Sequence, residues 1–316
     1  MKTKMILAAL MVSMSLFSCT PKQYRVSDYE KNLDYTKDFK IMQLTDLHFG
    51  IQTDPLRQEK YLTSLIEEAN PDLIVFTGDS FMNATVNIVN LLITFIDSFD
   101  IKFAFTYGNH ELQGYYDHFF INDQLMGAKN SVFIDYIDDS LKGHANYYIN
   151  LNKDDKPLYR LLILDSNSYY YNIDEYDYDV IREEQIKHYE EINSDMVPNL
   201  LFTHIPFHEY KDAYQGALDG IYPMNPGGIN EEGVSAPYKN NNEFARFKAI
   251  NTKGVFVGHD HTNYSDILYE DVILSFGVKS TDLIYHNKTG YKLITLPENP
   301  ADFGLKNIES RFKDYE

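Results

Sequence analysis

The sequence predicts an α/β fold, and three observations carry that expectation. Short apolar runs of strand length alternate with amphipathic segments of helical period. The first three runs are each separated by one such segment. Later runs follow one another more directly. The first three buried strands are expected at residues 39–44, 73–76 and 101–105. Between the first two, Leu62, Leu65, Ile66 and Ala69 recur at helical spacing, and between the second and third Leu91, Leu92, Phe95, Ile96 and Phe99 do the same. A strand-helix-strand-helix-strand unit implies parallel strands joined by right-handed crossovers. Further strands are expected at 147–151, 159–164, 200–203, 255–257, 272–276 and 291–296, some directly connected, which makes the second half mixed or antiparallel. Residues 181–193 read as an amphipathic helix. The tyrosine run 169–171 and the acidic stretch 174–179 read as a solvated loop, with ring stacking as the alternative. The Gly-, Pro- and Asn-rich segment 211–241 reads as a long substrate-facing lid.

Composition bounds the partners. The chain has 316 residues, 44% hydrophobic and 24% charged, enough for one large core. It carries 28 Lys and Arg against 47 Asp and Glu, a formal charge of −19. Nucleic-acid backbones are held by basic side chains that displace counterions, so this surface repels long nucleic acid and favours a small substrate.

The first residues form a targeting pattern: Lys2 and Lys4, then an apolar run over 6–17 that is short for a membrane span. Leu16-Phe17-Ser18-Cys19 resembles the lipobox at which bacterial lipoproteins are cleaved and lipidated. The expectation is a signal peptide over 1–18, lipidation of Cys19, a polar tether over 19–38, a folded domain over 39–300 and a tail over 301–316. The protein is then an extracytoplasmic, membrane-anchored lipoprotein of a bacterial cell envelope, with plain secretion as the alternative. Cys19 is the sole cysteine, so this sequence forms no internal disulfide and no thiolate metal cluster.

Five of the expected strands end in polar residues. The first is followed by Thr45-Asp46-Leu47-His48, the second by Gly78-Asp79, and the third by Tyr107-Gly108-Asn109-His110-Glu111. The run at 200–203 is followed by His204, and that at 255–257 by Gly258-His259-Asp260-His261. Open α/β sheets bind ligands beyond the carboxyl ends of their strands, so these segments are expected to converge. Asp, Asn and His supply the oxygen and nitrogen donors that borderline divalent metals prefer. Alternate residues of an extended chain point the same way, which pairs Asp46 with His48 and His259 with His261. Gly78, Gly108 and Gly258 permit sharp turns beside a metal. Seven donors exceed the needs of one ion and suit two.

In these five blocks the sequence resembles the calcineurin-like metallophosphoesterases, a family that includes the purple acid phosphatases. The resemblance spans Asp46 to His261. It implies a four-layer α/β/β/α sandwich of two mixed sheets with helices outside. It also implies that Asp46, His48 and His261 hold one metal, that Asn109, His204 and His259 hold a second, and that Asp79 bridges them. His110 then corresponds to the catalytic histidine that binds phosphate and assists the leaving oxygen. The Tyr ligand of purple acid phosphatases is replaced by Met82, and the Gly ending their first block by His48, which points to two divalent ions of Mn, Fe or Zn. The activity implied is hydrolysis of phosphomonoesters or phosphodiesters by a metal-bridging hydroxide. Nucleotide or cyclic-nucleotide hydrolysis is the enzymatic alternative, and a catalytically silent, lipid-anchored binding protein the alternative of another class. His208, Glu209 and Tyr210, following His204, are candidate substrate contacts.

Overall fold

The computed structural model of the protein describes residues 25–50, 54–83, 85–114, 116–135, 140–172, 175–281 and 288–314. Cys19 and the targeting segment lie outside them. The strands, in chain order, are β1 (Glu30–Asp34), β2 (Phe39–Leu44), β3 (Phe49–Gly50), β4 (Leu73–Thr77), β5 (Phe81–Met82), β6 (Lys102–Thr106), β7 (Tyr147–Lys153), β8 (Lys156–Ile163), β9 (Tyr169–Asn172), β10 (Glu175–Tyr178), β11 (Asn199–Phe202), β12 (Thr252–Val257), β13 (Asp266–Tyr269), β14 (Val272–Phe276), β15 (Gly290–Leu296) and β16 (Ile308–Phe312). The helices are α1 (Pro55–Ala69), α2 (Val86–Asp97), α3 (His118–Gly127), α4 (Glu183–Ile192), α5 (Glu209–Leu218) and α6 (Glu243–Ala249).

Among the described residues two large mixed sheets form, beside the two-stranded pairs β3–β5 and β9–β10. One runs β16-β15-β2-β4-β6, with β2, β4 and β6 parallel, and the other runs β1-β7-β8-β11-β12-β14-β13, with β8, β11, β12 and β14 parallel. The inner faces meet through apolar side chains, and α1 packs against β15 while α5 and α6 pack against β13 and β12. This is the expected four-layer sandwich of the metallophosphoesterase fold.

Local chemistry explains the crossover helices. Asp54 caps α1 by accepting from the Leu56 amide, Pro55 occupies the first turn, and Asn70 closes the helix in the left-handed conformation. Leu62, Leu65, Ile66 and Ala69 form its buried face as their spacing predicts. In α2 the buried face is Val89, Leu92, Ile93 and Ile96, whereas Leu91 is exposed, so the apolar stripe is rotated from the predicted one.

Polar contacts cross between the sheets. Gln43 on β2 donates to the Val257 carbonyl on β12 at 3.0 Å, and the Tyr147 hydroxyl both accepts from the Phe105 amide and donates to its carbonyl. Lys292 on β15, fully buried, reaches Asp266 on β13 at 2.7 Å and the Ser310 hydroxyl at 2.8 Å.

Three segments depart from expectation. Residues 30–34, inside the expected tether, form an edge strand paired in parallel with β7, and Tyr29 before them is buried against His188. Residues 308–312, inside the expected tail, extend the other sheet as β16. The expected lid begins as helix α5, and the rest is fastened to the loop after β12: the Thr262 amide donates to Glu232 at 2.6 Å and the Ser235 amide to Asp260 at 3.2 Å. All three depend on partners distant in sequence.

Removing one partner of a buried ion pair strands the other charge, at a cost of about 3–5 kcal/mol. Lys292→Ala is therefore expected to lower the unfolding free energy by about 3–5 kcal/mol in urea denaturation, and a loss below about 1 kcal/mol, the size of an ordinary hydrogen bond, contradicts the clamp between the sheets.

Candidate metal centre

The carboxyl ends of β2, β4, β6, β11 and β12 bring all seven predicted donors together. Oxygen and nitrogen atoms of Asp46, His48, Asp79 and His261 lie within 4.8 Å of one another, and those of Asp79, His204 and His259 form a second such group. Asp79 belongs to both. Asn109 joins the second group, its Oδ1 lying 3.1 Å from His204 Nε2. His204 Nε2 lies 3.2 Å from Asp79 Oδ2 and 3.3 Å from His259 Nδ1. On the other side, His48 Nε2 and His261 Nε2 approach to 3.1 Å, and His261 Nε2 lies 3.5 Å from Asp46 Oδ1.

The backbone around these groups is tightly determined. Asp46, His48, Asp79 and His259 all have φ between 46° and 75°. The left-handed conformation costs such residues about 1–3 kcal/mol each, and it persists only where the surroundings impose it. All three glycines leave no room for a Cβ, as expected. Only Gly78, with φ of 86°, makes a turn that favours glycine. Gly108 and Gly258 permit close approach instead: a Cβ on Gly108 would lie 2.3 Å from Asp79 Oδ1, and one on Gly258 would lie 2.0 Å from Thr45 Oγ1 and 2.8 Å from Asp46 Oδ2.

Hydrogen bonds orient the donors. The Asp46 carboxylate accepts from Thr45 Oγ1 at 2.8 Å and from the His259 amide at 3.1 Å. Asp79 Oδ1 accepts from the His110 amide at 2.8 Å. His204 Nδ1 lies 2.8 Å from the Thr77 carbonyl, which fixes the proton there and leaves Nε2 as the ligating atom. Glu111 is wholly buried and accepts from the amides of Gly108, Ser80 and Asp79 at 2.6, 2.5 and 3.1 Å, tying the loop after β6 to that after β4. Burial pushes its carboxyl up to about 8, while the facing amides favour the anion.

The electrostatics describe a nest of donors. Burial pushes His48 down to about 4 and His259 to about 3, so both rings are neutral and offer lone pairs. Burial acts against charge on Asp46 as well, but the hydrogen bond and charge of His261 together with the charge of His204 outweigh it and hold the carboxyl at about 2. Asp79 is held well below the carboxylate range, with His204 the main opponent of burial there. In return Asp79 raises His204 to about 10, against its burial. Opposed imidazole nitrogens and two buried carboxylates offer inward-facing lone pairs, and borderline divalent cations satisfy such a set. The residues fit two ions.

His110 stands at the rim with its side chain 23% exposed and Nε2 3.8 Å from Asp79 Oδ2. Its Nδ1 lies 2.5 Å from Gln113 Oε1, and an amide oxygen only accepts, so Nδ1 carries a hydrogen and Nε2 is the atom turned to the centre. Gln113 was missed by the sequence reading. So was the hairpin β9–β10, expected as a solvated loop: Tyr169 contacts Asn109 at 2.9 Å and the Tyr178 ring meets the His259 ring edge-on at 4.5 Å.

The segment after His204 divides. Tyr210 is fully buried and its hydroxyl donates to the Val255 carbonyl at 2.8 Å, so it belongs to the core and touches no substrate. Glu209 opens α5 and accepts from Asn240. His208 lines a separate cleft with Ser166, Pro206, Phe207 and Glu243, to which none of the seven donors contributes. Of the three expected substrate contacts, Tyr210 therefore lies in the core, Glu209 at the start of α5 and His208 in that other cleft.

A sequence model of calcineurin-like phosphoesterases matches residues 39–263, well over half of the chain. The chain belongs to the calcineurin-like phosphoesterase family. Among relatives, it is similar to phosphatase DCR2 of Saccharomyces cerevisiae, 28% identical over 71% of this chain and 44% of that protein. It is also similar to probable inactive purple acid phosphatase 28 of Arabidopsis thaliana, 24% identical over 71% of this chain and 66% of that one. The chain thus spans less than half of DCR2 and just under two thirds of the other. Among solved structures, a dimetal phosphatase of Danio rerio superposes with a TM-score of 0.54 at 12% identity, over 83% of this chain and 94% of that one. The GAP50 anchor in the inner membrane complex of Plasmodium superposes with a TM-score of 0.51 at 14% identity, over 88% and 85%. These likenesses show the fold of this calcineurin-like phosphoesterase.

Overpacking a close contact costs about 1–3 kcal/mol. In Gly258→Ala the new methyl group displaces Thr45 and Asp46, so this variant is expected to lose stability by that amount and to bind one ion fewer by elemental analysis. Full metal content at unchanged stability contradicts the close-approach role.

Proposed function

We propose that the protein hydrolyses small phosphoesters outside the cytoplasm, using two divalent ions of Mn, Fe or Zn. The observation that carries this is one carboxylate, Asp79, shared by two sets of donors, with the Nε2 face of His110 beside it. When bound, the ion pair supplies Lewis acidity toward phosphoryl oxygens and lowers the pKa of water near it.

The chain's own residues supply the rest. Asp79 has two carboxylate oxygens and so serves both sets, which neither Asn nor His can do. The backbone amide of His110 holds Asp79 Oδ1, and the side chain of Gln113 holds His110 so that Nε2 faces the reacting group. His110, protonated on both ring nitrogens, then delivers the Nε2 hydrogen bond or proton to the departing ester oxygen, a contribution of about 10²–10⁴-fold. A solvent-open cleft lined by Gly108, Leu112, Lys142, His144 and Tyr169 lies beside the loop that carries Asn109 and His110, and is the proposed place for the organic part of a small ester. Local charge at the ions outweighs the net −19 of the chain for an incoming anion.

Cys19 is proposed to carry a lipid that holds the domain at a cell-envelope membrane, on the strength of Leu16-Phe17-Ser18-Cys19. A silent binding role is the second reading, favoured by relatives described as probable inactive purple acid phosphatases. The complete donor set and His110 support the enzymatic one, and nucleotide hydrolysis remains within it.

Two variants separate metal holding from turnover. Asp79→Asn is expected to lose both bound metal and activity, and His110→Ala to keep the metal and lose about 10²–10⁴-fold in kcat. Metal analysis beside kinetics on a panel of mono-, di- and nucleotide esters with Mn, Fe or Zn checks this. No hydrolysis of any ester by the metal-loaded wild-type protein establishes the silent role instead.

A further inference from the structure

The β9–β10 hairpin lies on the side of the centre built from Asn109, His204 and His259. Asn109 Nδ2 donates to the Tyr169 hydroxyl at 2.9 Å, while Asn109 Oδ1 faces His204 Nε2 at 3.1 Å. A carboxamide has a donor end and an acceptor end, and only the oxygen can bind a cation. Half a turn about its last bond would present the NH₂ group to the ion. The Tyr169 hydroxyl bonded to that nitrogen ties the carboxamide down, with Oδ1 as the end turned to His204.

The support for Tyr169 is itself built in. The Tyr178 ring stacks on the Tyr169 ring, with centroids 5.5 Å apart and planes inclined by 26°, and Tyr178 meets His259 edge-on. The hairpin base is closed by the Asp179 amide donating to the Ser168 carbonyl at 3.0 Å. The hairpin is further strapped to the 219–242 segment: the Tyr238 amide donates to Asp177 at 2.6 Å, and Lys239 Nζ lies 5.1 Å from the Tyr170 ring centre. One hairpin therefore holds both Asn109 and His259.

Resting on the two-metal reading above, we propose that Tyr169 is a positioning residue for the second ion: its hydroxyl anchors the Asn109 carboxamide whose oxygen faces the metal site. The hydroxyl need not touch metal or substrate. It acts through Asn109, and its effect is confined to the ion that Asn109 serves.

The test is a titration of metal-free protein with Mn²⁺ alone, followed by calorimetry and by the spin-coupled signal of a manganese pair. Tyr169→Phe removes one oxygen and keeps the ring. It is expected to bind the first ion as wild type does and the second about 10–100-fold more weakly, the usual effect of losing a group that orients a ligand. Asn109→Ala supplies the control, because it leaves Tyr169 no carboxamide to hold. In that background Tyr169→Phe is expected to change the second affinity less than twofold. Unchanged binding of both ions by Tyr169→Phe, or an equal loss in both backgrounds, overturns the proposal while leaving the dinuclear centre intact. A wild-type protein that takes up fewer than two Mn²⁺ overturns the dinuclear reading and this proposal with it.

Discussion

The structure is organised around the sharing of Asp79. A buried carboxylate is costly to hold in a protein interior without opposing charge. Here Asp79 and Asp46 are both buried, and each faces imidazole nitrogens rather than a lysine or arginine. Against their burial, the two carboxylates raise the pKa of His204 and His261, and bound cations would supply the opposing charge in place of those protons. With ions present, each carboxylate, imidazole and amide of the set has a partner. Remove Asp79 and the two donor groups lose the one side chain that belongs to both.

The fold serves that constraint by assembling two sheets whose parallel strands end on one rim. Neither sheet holds a complete set. The first contributes Asp46, His48, Asp79 and Asn109 from the ends of β2, β4 and β6, and the second contributes His204, His259 and His261 from β11 and β12. Contacts such as Gln43 to Val257 and the Lys292–Asp266 pair therefore bear on the centre from a distance, because they fix one sheet against the other. The left-handed backbone at four donors is the local counterpart. It stores strain that the surrounding hydrogen bonds offset.

How much was legible in the sequence follows from how local each signal is. Asp46 with His48, Gly78 with Asp79, and His259 with His261 are short patterns at the ends of apolar runs, so the site residues and the strands carrying them were readable. The parallel crossovers were readable for the same reason. Gln113 was not, because a glutamine three residues after a histidine is unremarkable until the turn Glu111–Gln113 forms. Tyr169 and Tyr178 sit in a polar, tyrosine-rich stretch whose partners are some sixty to eighty residues away. Strands β1 and β16 lack the apolar runs of central strands, since each sits at a sheet edge with exposed side chains. Tyr210 misled in the opposite direction: it follows a metal ligand closely in sequence, yet helix α5 turns it into the core.

The most direct measurement is anomalous diffraction from crystals grown with Mn²⁺. A carboxylate shared between two ions requires two peaks about 3.5–4 Å apart, both within bonding distance of Asp79, one shared with Asp46, His48 and His261 and the other with Asn109, His204 and His259. A single peak, or two peaks that do not share Asp79, contradicts it.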